Sequence, residues 1–439
     1  MRIGIKLKIT PLKMGLLVVL AACLIFFSFG APKPDLLTSL DNRIADAMFR
    51  WRGPQRTTDS VVIVDIDEKS LKYAGQWPWP RNLVAKLVQK INAAVPRVIA
   101  FDIVFAEADR TSPIKCMVEL NQVLTTQLPD AELLADNELL NHDIALGNAV
   151  ADAPTVMGYV FLLMNDGLKA SGETPFPAGR LRVAPEHTRI SDLDMISIYR
   201  AVVNVGEVAR GKSEGFLNVL PDPSGTVRKV PLLMDLDHIP YPALALEAYR
   251  VGQRQPELTI HVPTEKTKAP IDVLGISAGS RFIPTDEKAR LAVNFRGPAN
   301  TFLYVSAADI LQDRYQTVLK DKYVLIGTSA SGLFDLVATP FSSASAGVEV
   351  HATAIDNMIA GDPFTHDIFT EIGLTYALVV LGGILLTLLL VYSGPLQGGL
   401  CGLAIILIVV AGNYHFFSWK TYWWASPTPF CPLLPFLLS

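Results

Sequence analysis

Two runs near the carboxyl end, Ile372–Tyr392 and Leu396–Phe416, contain no Lys, Arg, Asp or Glu, and each has the length a helix needs to cross a bilayer. Ser393, Gly394 and Pro395 join them, so a tight helical hairpin is expected, with helices over 371–393 and 396–417. A third uncharged stretch, Met14–Phe29, lies near the amino end, behind a tail carrying Arg2, Lys6, Lys8 and Lys13. These segments hold most of the apolar excess. The chain is 50% hydrophobic with a mean hydropathy of +0.33, yet its middle has the composition of an ordinary globular protein. The pattern is that of a membrane-anchored domain.

Positive residues favour the cytoplasmic side of a membrane, so the tail 1–13 is expected inside, and a helix over 14–30 exports the long middle region. A secretory signal peptide has the same layout, with Ser28 and Gly30 as a small-residue cleavage site. The region 31–370 is then exported, and the chain a multi-pass membrane protein. Tyr422, Trp423 and Trp424 suit an outer-interface aromatic belt. Beyond them Phe430–Leu438 and Ser439, within 429–439, begin a further membrane segment studded with prolines; an output module is expected past that point. Gly382, Gly383, Gly398 and Gly402 permit close helix approach, either within the hairpin or in a homodimer seam. The runs lack the ionisable groups of ion and proton pathways, which argues against a transporter.

Net charge is −4 and no basic tract occurs outside the tail, which speaks against a nucleic-acid partner. Cys23, Cys401 and Cys431 fall in apolar segments and leave Cys116 alone in the exported region. No intradomain disulfide or thiolate metal cluster can form there, and no cofactor is expected. Stability must come from a core, for which roughly 340 residues are ample.

Within that region Pro32 and Pro34 precede an amphipathic helix carrying Leu36, Leu37, Leu40, Ile44 and Met48. Val61–Ile66, a helix over about Asn82–Asn92, and Val98–Phe105 read as a βαβ unit with parallel strands. Ser112–Ala151 is helical in character, Thr155–Leu162 a strand, and the Gly- and Pro-rich Asp166–Pro185 a surface insertion. Gly215–Leu220 and Val227–Leu233, with a turn at Asp222–Gly225, suggest a β-hairpin. Tyr241–Arg250 reads as a helix, Leu291–Phe295 as a strand, Ala307–Leu311 as a short helix and Tyr323–Ile326 as a buried strand. A helix over Gly347–Ile359 is broken by Gly361, Asp362 and Pro363. The fold class expected is α/β, a mixed and largely parallel sheet flanked by transmembrane helices.

Several pieces match a known pattern in order. They are Arg50–Pro54; Val61–Asp67; the Trp77-Pro78-Trp79-Pro80-Arg81 run; Ala100–Asp102 with Phe105; Asp222–Arg228 with Pro231; Asn294–Gly297; Gly327–Asp335; Thr339-Pro340; and Gly347–Glu349 with His351-Ala352. The chain resembles the second type of the CHASE family, extracellular sensory domains that precede bacterial nucleotide cyclases and protein kinases. The resemblance implies a multi-pass protein of the bacterial inner membrane with 31–370 as a periplasmic input domain for an unknown extracellular signal, one helix before it, three after it, and a cytoplasmic output module of cyclase or kinase type.

Candidate ligand-binding residues are Asp65, Asp67, Trp77, Trp79, Arg81, Asp102, Ser329, Asp335 and His351. Carboxylates at the carboxyl edge of a parallel sheet often converge on a site, and oxygen ligands suit hard cations. A membrane-tethered, metal-dependent periplasmic hydrolase is therefore the alternative to a sensor. Against both stands a structural reading: Asp65 and Asp67 cap the following turn or helix, Asp102 pairs with an arginine, and His351 caps or packs. Gly327–Gly332 could form an anion nest, but no Lys-Ser or Lys-Thr pair comes after it, so it is not a Walker loop. Trp77 and Trp79 act as core lids or display their indoles. Catalysis by this chain is not expected. The turn at Gly361, Asp362 and Pro363 and the hairpin at Gly394 and Pro395 are the expected points of signal coupling.

Overall fold

Runs of Val, Ile and Leu over Val61–Ile66, Val98–Phe101 and Tyr323–Thr328 make strands buried on both faces, the condition under which parallel sheets form. The computed structural model describes residues 11–26, 35–124, 137–165, 167, 174–175, 180–264, 269–330, 332, 336–364, 380–389, 391–392 and 395–420. The chain divides into two units, Met1–Gly53 with Phe364–Ser439, and Pro54–Pro363.

The first unit holds helices α1 (Pro11–Phe26) and α2 (Asp35–Arg52). The larger unit opens with β1 (Val61–Ile66), α3 (Glu68–Ala74), α4 (Arg81–Ala93), β2 (Val98–Phe101), α5 (Pro113–Leu124), α6 (His142–Asp152) and β3 (Thr155–Leu162). It continues through β4 (Arg180–Ala184), β5 (Arg200–Val202), β6 (Ser213–Phe216), β7 (Lys229–Pro231), β8 (Leu233–Leu236), β9 (Ile239–Pro242) and α7 (Leu244–Gly252). Then come β10 (Glu257–His261), β11 (Gly275–Ala278), β12 (Arg281–Pro284), β13 (Arg290–Ala292), β14 (Leu303–Ser306) and α8 (Ala307–Leu311). It ends with β15 (Tyr323–Thr328), β16 (Leu336–Val337), β17 (Ser345–Ala346) and α9 (Gly347–Ala360). Helix α10 (Pro395–Lys420) belongs to the first unit.

The central sheet has the order β14-β1-β15-β2-β3-β5, with β6 also paired to β3. Every pair in it is parallel except β3 with β5. Alternation sorts its side chains. Val61, Ile63, Val98, Ala100 and Leu325 join α7 and α9 in one core cluster; Val62, Val64, Ile99, Phe101, Val324 and Ile326 join α4, α6 and α8 in another. Each buried Val, Ile or Leu stabilises by about 1.5–3 kcal/mol, so these two clusters outweigh any single polar contact. The first cluster continues into a second sheet, ordered β12-β11-β10-β4, through Val183, Leu258, Ile260, Ile276 and Ile283.

In the first unit Phe49 meets Phe364 edge to face at 5.5 Å, and the Arg52 guanidinium stacks over Phe49 at 5.0 Å. Gly383 lies against Val19 of α1 and Gly15 of α1 against Thr387, whereas Gly382 has nothing within 4 Å. Judged on the described residues alone, no helix is long and apolar enough to cross a membrane. The tail 1–10, Gly394, the aromatic residues Tyr422–Trp424 and the stretch 429–439 lie outside the described residues.

Two expectations are corrected. Gly215–Leu220 and Val227–Leu233 form no hairpin: β6 pairs with β3 in the central sheet, while β7 pairs with β13. The turn between them is real, closed by Gly225 N–H donating to the Asp222 carbonyl at 2.8 Å, but long-range partners outcompete the local one. The segment read as a surface insertion also contributes β4 to the second sheet, parallel to β10.

At Gly215 a Cβ would stand 2.6 Å from Leu244 Cα and 2.7 Å from its nitrogen, so α7 seats on β6 through that glycine. Backbone cannot yield as a side chain can. Gly215→Ala is expected to cost about 1–3 kcal/mol, read as a lower thermal midpoint of the detergent-solubilised chain; an unchanged midpoint would contradict this packing.

Candidate functional site

The carboxyl edge of the central sheet gathers polar residues because strands β1, β2, β14 and β15 all end there in parallel. Asp65 near the end of β1 lies opposite Gly327 on β15, and Asp102 comes directly after β2, its N–H donating to the Ile326 carbonyl at 2.8 Å. By alternation both side chains fall on the face covered by α9. Gly327 sits between them, and a Cβ there would come within 2.8 Å of Val348, so the start of α9 rests directly on the sheet.

Asp65 is 6% exposed. Ser329 donates its hydroxyl to one carboxylate oxygen, and the other has no partner among the described residues. Burial, which the Ser329 bond opposes and nearby Asp67 reinforces, pushes its pKa up to about 6. Asp67 behaves as a helix cap. Its Oδ1 accepts from Ser70 N–H at 2.8 Å, from Ser70 Oγ at 2.6 Å and from Ser306 Oγ at 2.8 Å, locking the start of α3 to β14. His351, 1% exposed on α9, donates Nε2–H to the Leu217 carbonyl at 3.1 Å and lies 3.9 Å from Asp102. A carbonyl only accepts, so Nε2 holds the proton, and Nδ1 is left without a partner among the described residues. Asp335 lies outside the described residues.

A second group forms where Trp77–Arg81 meets the loop after β2. Trp79 is 1% exposed, donates Nε1–H to the Gly75 carbonyl at 2.9 Å and meets Trp77 at 5.7 Å, so it packs as a core lid. Arg81 is 8% exposed, its guanidinium 4.5 Å above the Phe105 ring. Its backbone N–H donates to Asp109 at 2.8 Å. Asp109 also accepts from Thr111 N and Oγ1, each at 2.8 Å, and from His142 Nδ1 at 3.2 Å. Burial alone would raise the Asp109 pKa, but these donors hold it below the usual value. Burial lowers the Arg81 pKa despite Asp109 and Asp143, and raises that of Asp143. A cavity of 110 Å³ opens beside Arg81, lined by Pro78, Trp79, Glu107, Ala108, Asp109, Arg110 and Thr111.

The opposite edge of the sheet holds the chain ends of the unit. Arg296, 4% exposed, donates Nε–H to Asp356 at 2.6 Å and grips Asp362 with both terminal nitrogens at 2.7 Å. Asp356 in turn accepts from Thr58 N–H at 2.8 Å and Thr58 Oγ1 at 2.5 Å, and Gln55 N–H donates to the Arg296 carbonyl at 2.5 Å. Asn294 and Asn357 exchange backbone–amide bonds at 2.8 and 3.0 Å. Burial lowers the Arg296 pKa, but Asp362 and Asp356 outweigh it, and the net shift is upward. Gly361 closes α9 in the left-handed region, φ +73°, before Asp362 and Pro363. Of the expected coupling residues these three are joined to the knot or adjoin it; Pro395 begins α10.

The structure thus brings Asp65 together with Ser329, Asp102 with His351, and Trp79 with Arg81. Sequence reasoning missed Asp109, Asp143, Glu107 and Arg296. An acidic loop directly after a buried strand was the available signal for Glu107 and Asp109. Among the described residues no group of three or more His, Cys, Asp or Glu is placed to hold a metal ion.

The larger unit is thus an α/β domain with polar groups at one edge of its sheet and its own entry and exit at the other. The model of the CHASE2 domain matches residues 17–390, and the chain belongs to that family, whose domains are sensory, of extracellular type, rather than catalytic. No curated protein and no solved structure matches it.

Since the folded Asp65 pKa lies above its unfolded value, its contribution favours the fold below about pH 4 and is lost as pH rises through about 6. Asp65→Asn should therefore stabilise the chain at pH 7.5 by on the order of 2 kcal/mol, an advantage that shrinks towards pH 4. Unfolding midpoints of the two proteins that differ equally at both pH values would contradict the buried, charge-disfavouring site.

Proposed function

We propose that this chain is the input half of a membrane receptor: its α/β unit reads a signal outside the cytoplasm, and membrane helices carry the response to a cytoplasmic output of cyclase or kinase type. The observation that carries this reading is the course of α9. Its first turns rest on Gly327 between Asp65 and Asp102, and its last turn enters the Arg296 knot, where the chain both enters and leaves the unit. A ligand transmits only by unequal affinity for two arrangements, and α9 is an element that touches both edges and can register the difference.

Membrane anchoring is supported by the uncharged runs Met14–Phe29, Ile372–Tyr392 and Leu396–Phe416. It is supported further by exposed leucines on α1 and α10, among them Leu17 at 62%, Leu20 at 60%, Leu400 at 61% and Leu407 at 59%. Large apolar side chains on helix faces find a favourable solvent in lipid. The positive tail supports a periplasmic large unit, and the reading includes the lipid bilayer as one partner and a second copy of the chain as another.

Cys116 is exposed on α5 and gives a direct handle on sidedness. A membrane-impermeant maleimide should label it in intact spheroplasts, and Cys116→Ser should remove that label; labelling only after lysis would overturn the orientation. For coupling, Asp362→Asn weakens the bidentate grip of Arg296 at a residue one-third exposed, so the unit stays folded. In a fusion to a reporter output it is expected to change basal activity by about fivefold or more; wild-type output at normal expression would refute the knot's role.

A further inference from the structure

The Arg81 cavity carries an inference that rests on the sensor reading and deepens it. A guanidinium has five N–H donors. Among the described residues the Arg81 guanidinium makes only two hydrogen bonds, both long, to the Trp79 and Glu107 carbonyls at 3.4 Å each. Its Nε makes no hydrogen bond among the described residues: Asp143 Oδ1, its ion-pair partner, is 3.8 Å away, too far for one, and likewise accepts none. Asp109 does not serve the guanidinium: it is occupied by the backbone of Arg81, by Thr111 and by His142. A nine-tenths buried cation therefore borders open volume with its hydrogen-bonding capacity largely unspent. Burial depresses its pKa, as expected of a charge whose surroundings compensate it incompletely.

We propose that this cavity is the signal site and that it takes a small, singly charged organic carboxylate. The planar fork of Arg81 pairs with a carboxylate through two parallel bonds. Its Phe105 support fixes the plane in which they form. Pro78 and Trp79 supply an apolar wall for the body of the ligand. The volume of 110 Å³ exceeds by several-fold the roughly 10–15 Å³ that one water needs. A doubly charged anion is disfavoured, because Glu107 and Asp109 offset Arg81 and Arg110 in the lining and Asp143 lies behind Arg81, which leaves no excess positive charge for a second anionic group.

The test is calorimetric titration and thermal shift of the detergent-solubilised full chain with sodium acetate, propionate, lactate and benzoate, and with inorganic phosphate at matched ionic strength. At least one carboxylate is expected to bind saturably and raise the midpoint. Arg81→Lys should weaken that binding at least tenfold. Ala108→Trp fills the cavity from an exposed residue whose backbone alone is engaged, by Lys115; it should abolish binding while leaving the fold intact. Saturable binding of phosphate with no carboxylate, binding that persists in Ala108→Trp, or no binding by any of the five would each overturn the proposal. If none binds but the reporter fusion still responds to Asp362→Asn, the sensor reading stands and only this ligand class falls.

Discussion

The architecture depends on one insertion: β15, near the end of the large unit, slides between β1 and β2 from its beginning. Until Tyr323–Thr328 takes that place, the two amino-terminal strands have no common partner, and the clusters on either face of the sheet lack their middle row. The same insertion assembles the carboxyl edge. It delivers Ser329 to Asp65 and interposes Gly327 between Asp65 and Asp102, and the chain after it passes through β16 and β17 into α9. Pairing of strands more than 200 residues apart gives a high contact order, so this core is expected to form late and cooperatively.

Much of the fold was legible where periodicity and burial coincide. Thr155–Leu162, Ala307–Leu311 and the helix from Gly347 announced themselves by β-branched runs or helical spacing, and they stand almost where the pattern put them. Legibility failed where a local signal competed with a distant partner. The Asp222–Gly225 turn has every mark of a hairpin, yet its flanking strands belong to different sheets, since turn chemistry fixes a reversal and says nothing about what pairs beyond it. The second sheet was largely unseen because strands such as Glu257–His261 are short and half-polar.

The candidate site shows the same division. Asp67 could be read as a cap from its place before a helix, and the structure finds it capping. Asp65 and Ser329 were both visible as residues, but their pairing was not, for it exists only once β15 lies beside β1. Arg81 drew notice through its tryptophan neighbours, whereas Asp143 reaches it from α6, across a distance that no spacing in the chain encodes.

The Arg296 knot carries a mechanical consequence. Gly361, with its left-handed backbone, is the natural place for the exit from α9 to flex. One rigid guanidinium spans that joint, holding Asp356 on the helix and Asp362 beyond it. The joint is thus splinted. On the proposed relay a shift of α9 would meet little slack there and would pass on to Pro363, and the Thr58 bonds to Asp356 tie the incoming segment to the same helix.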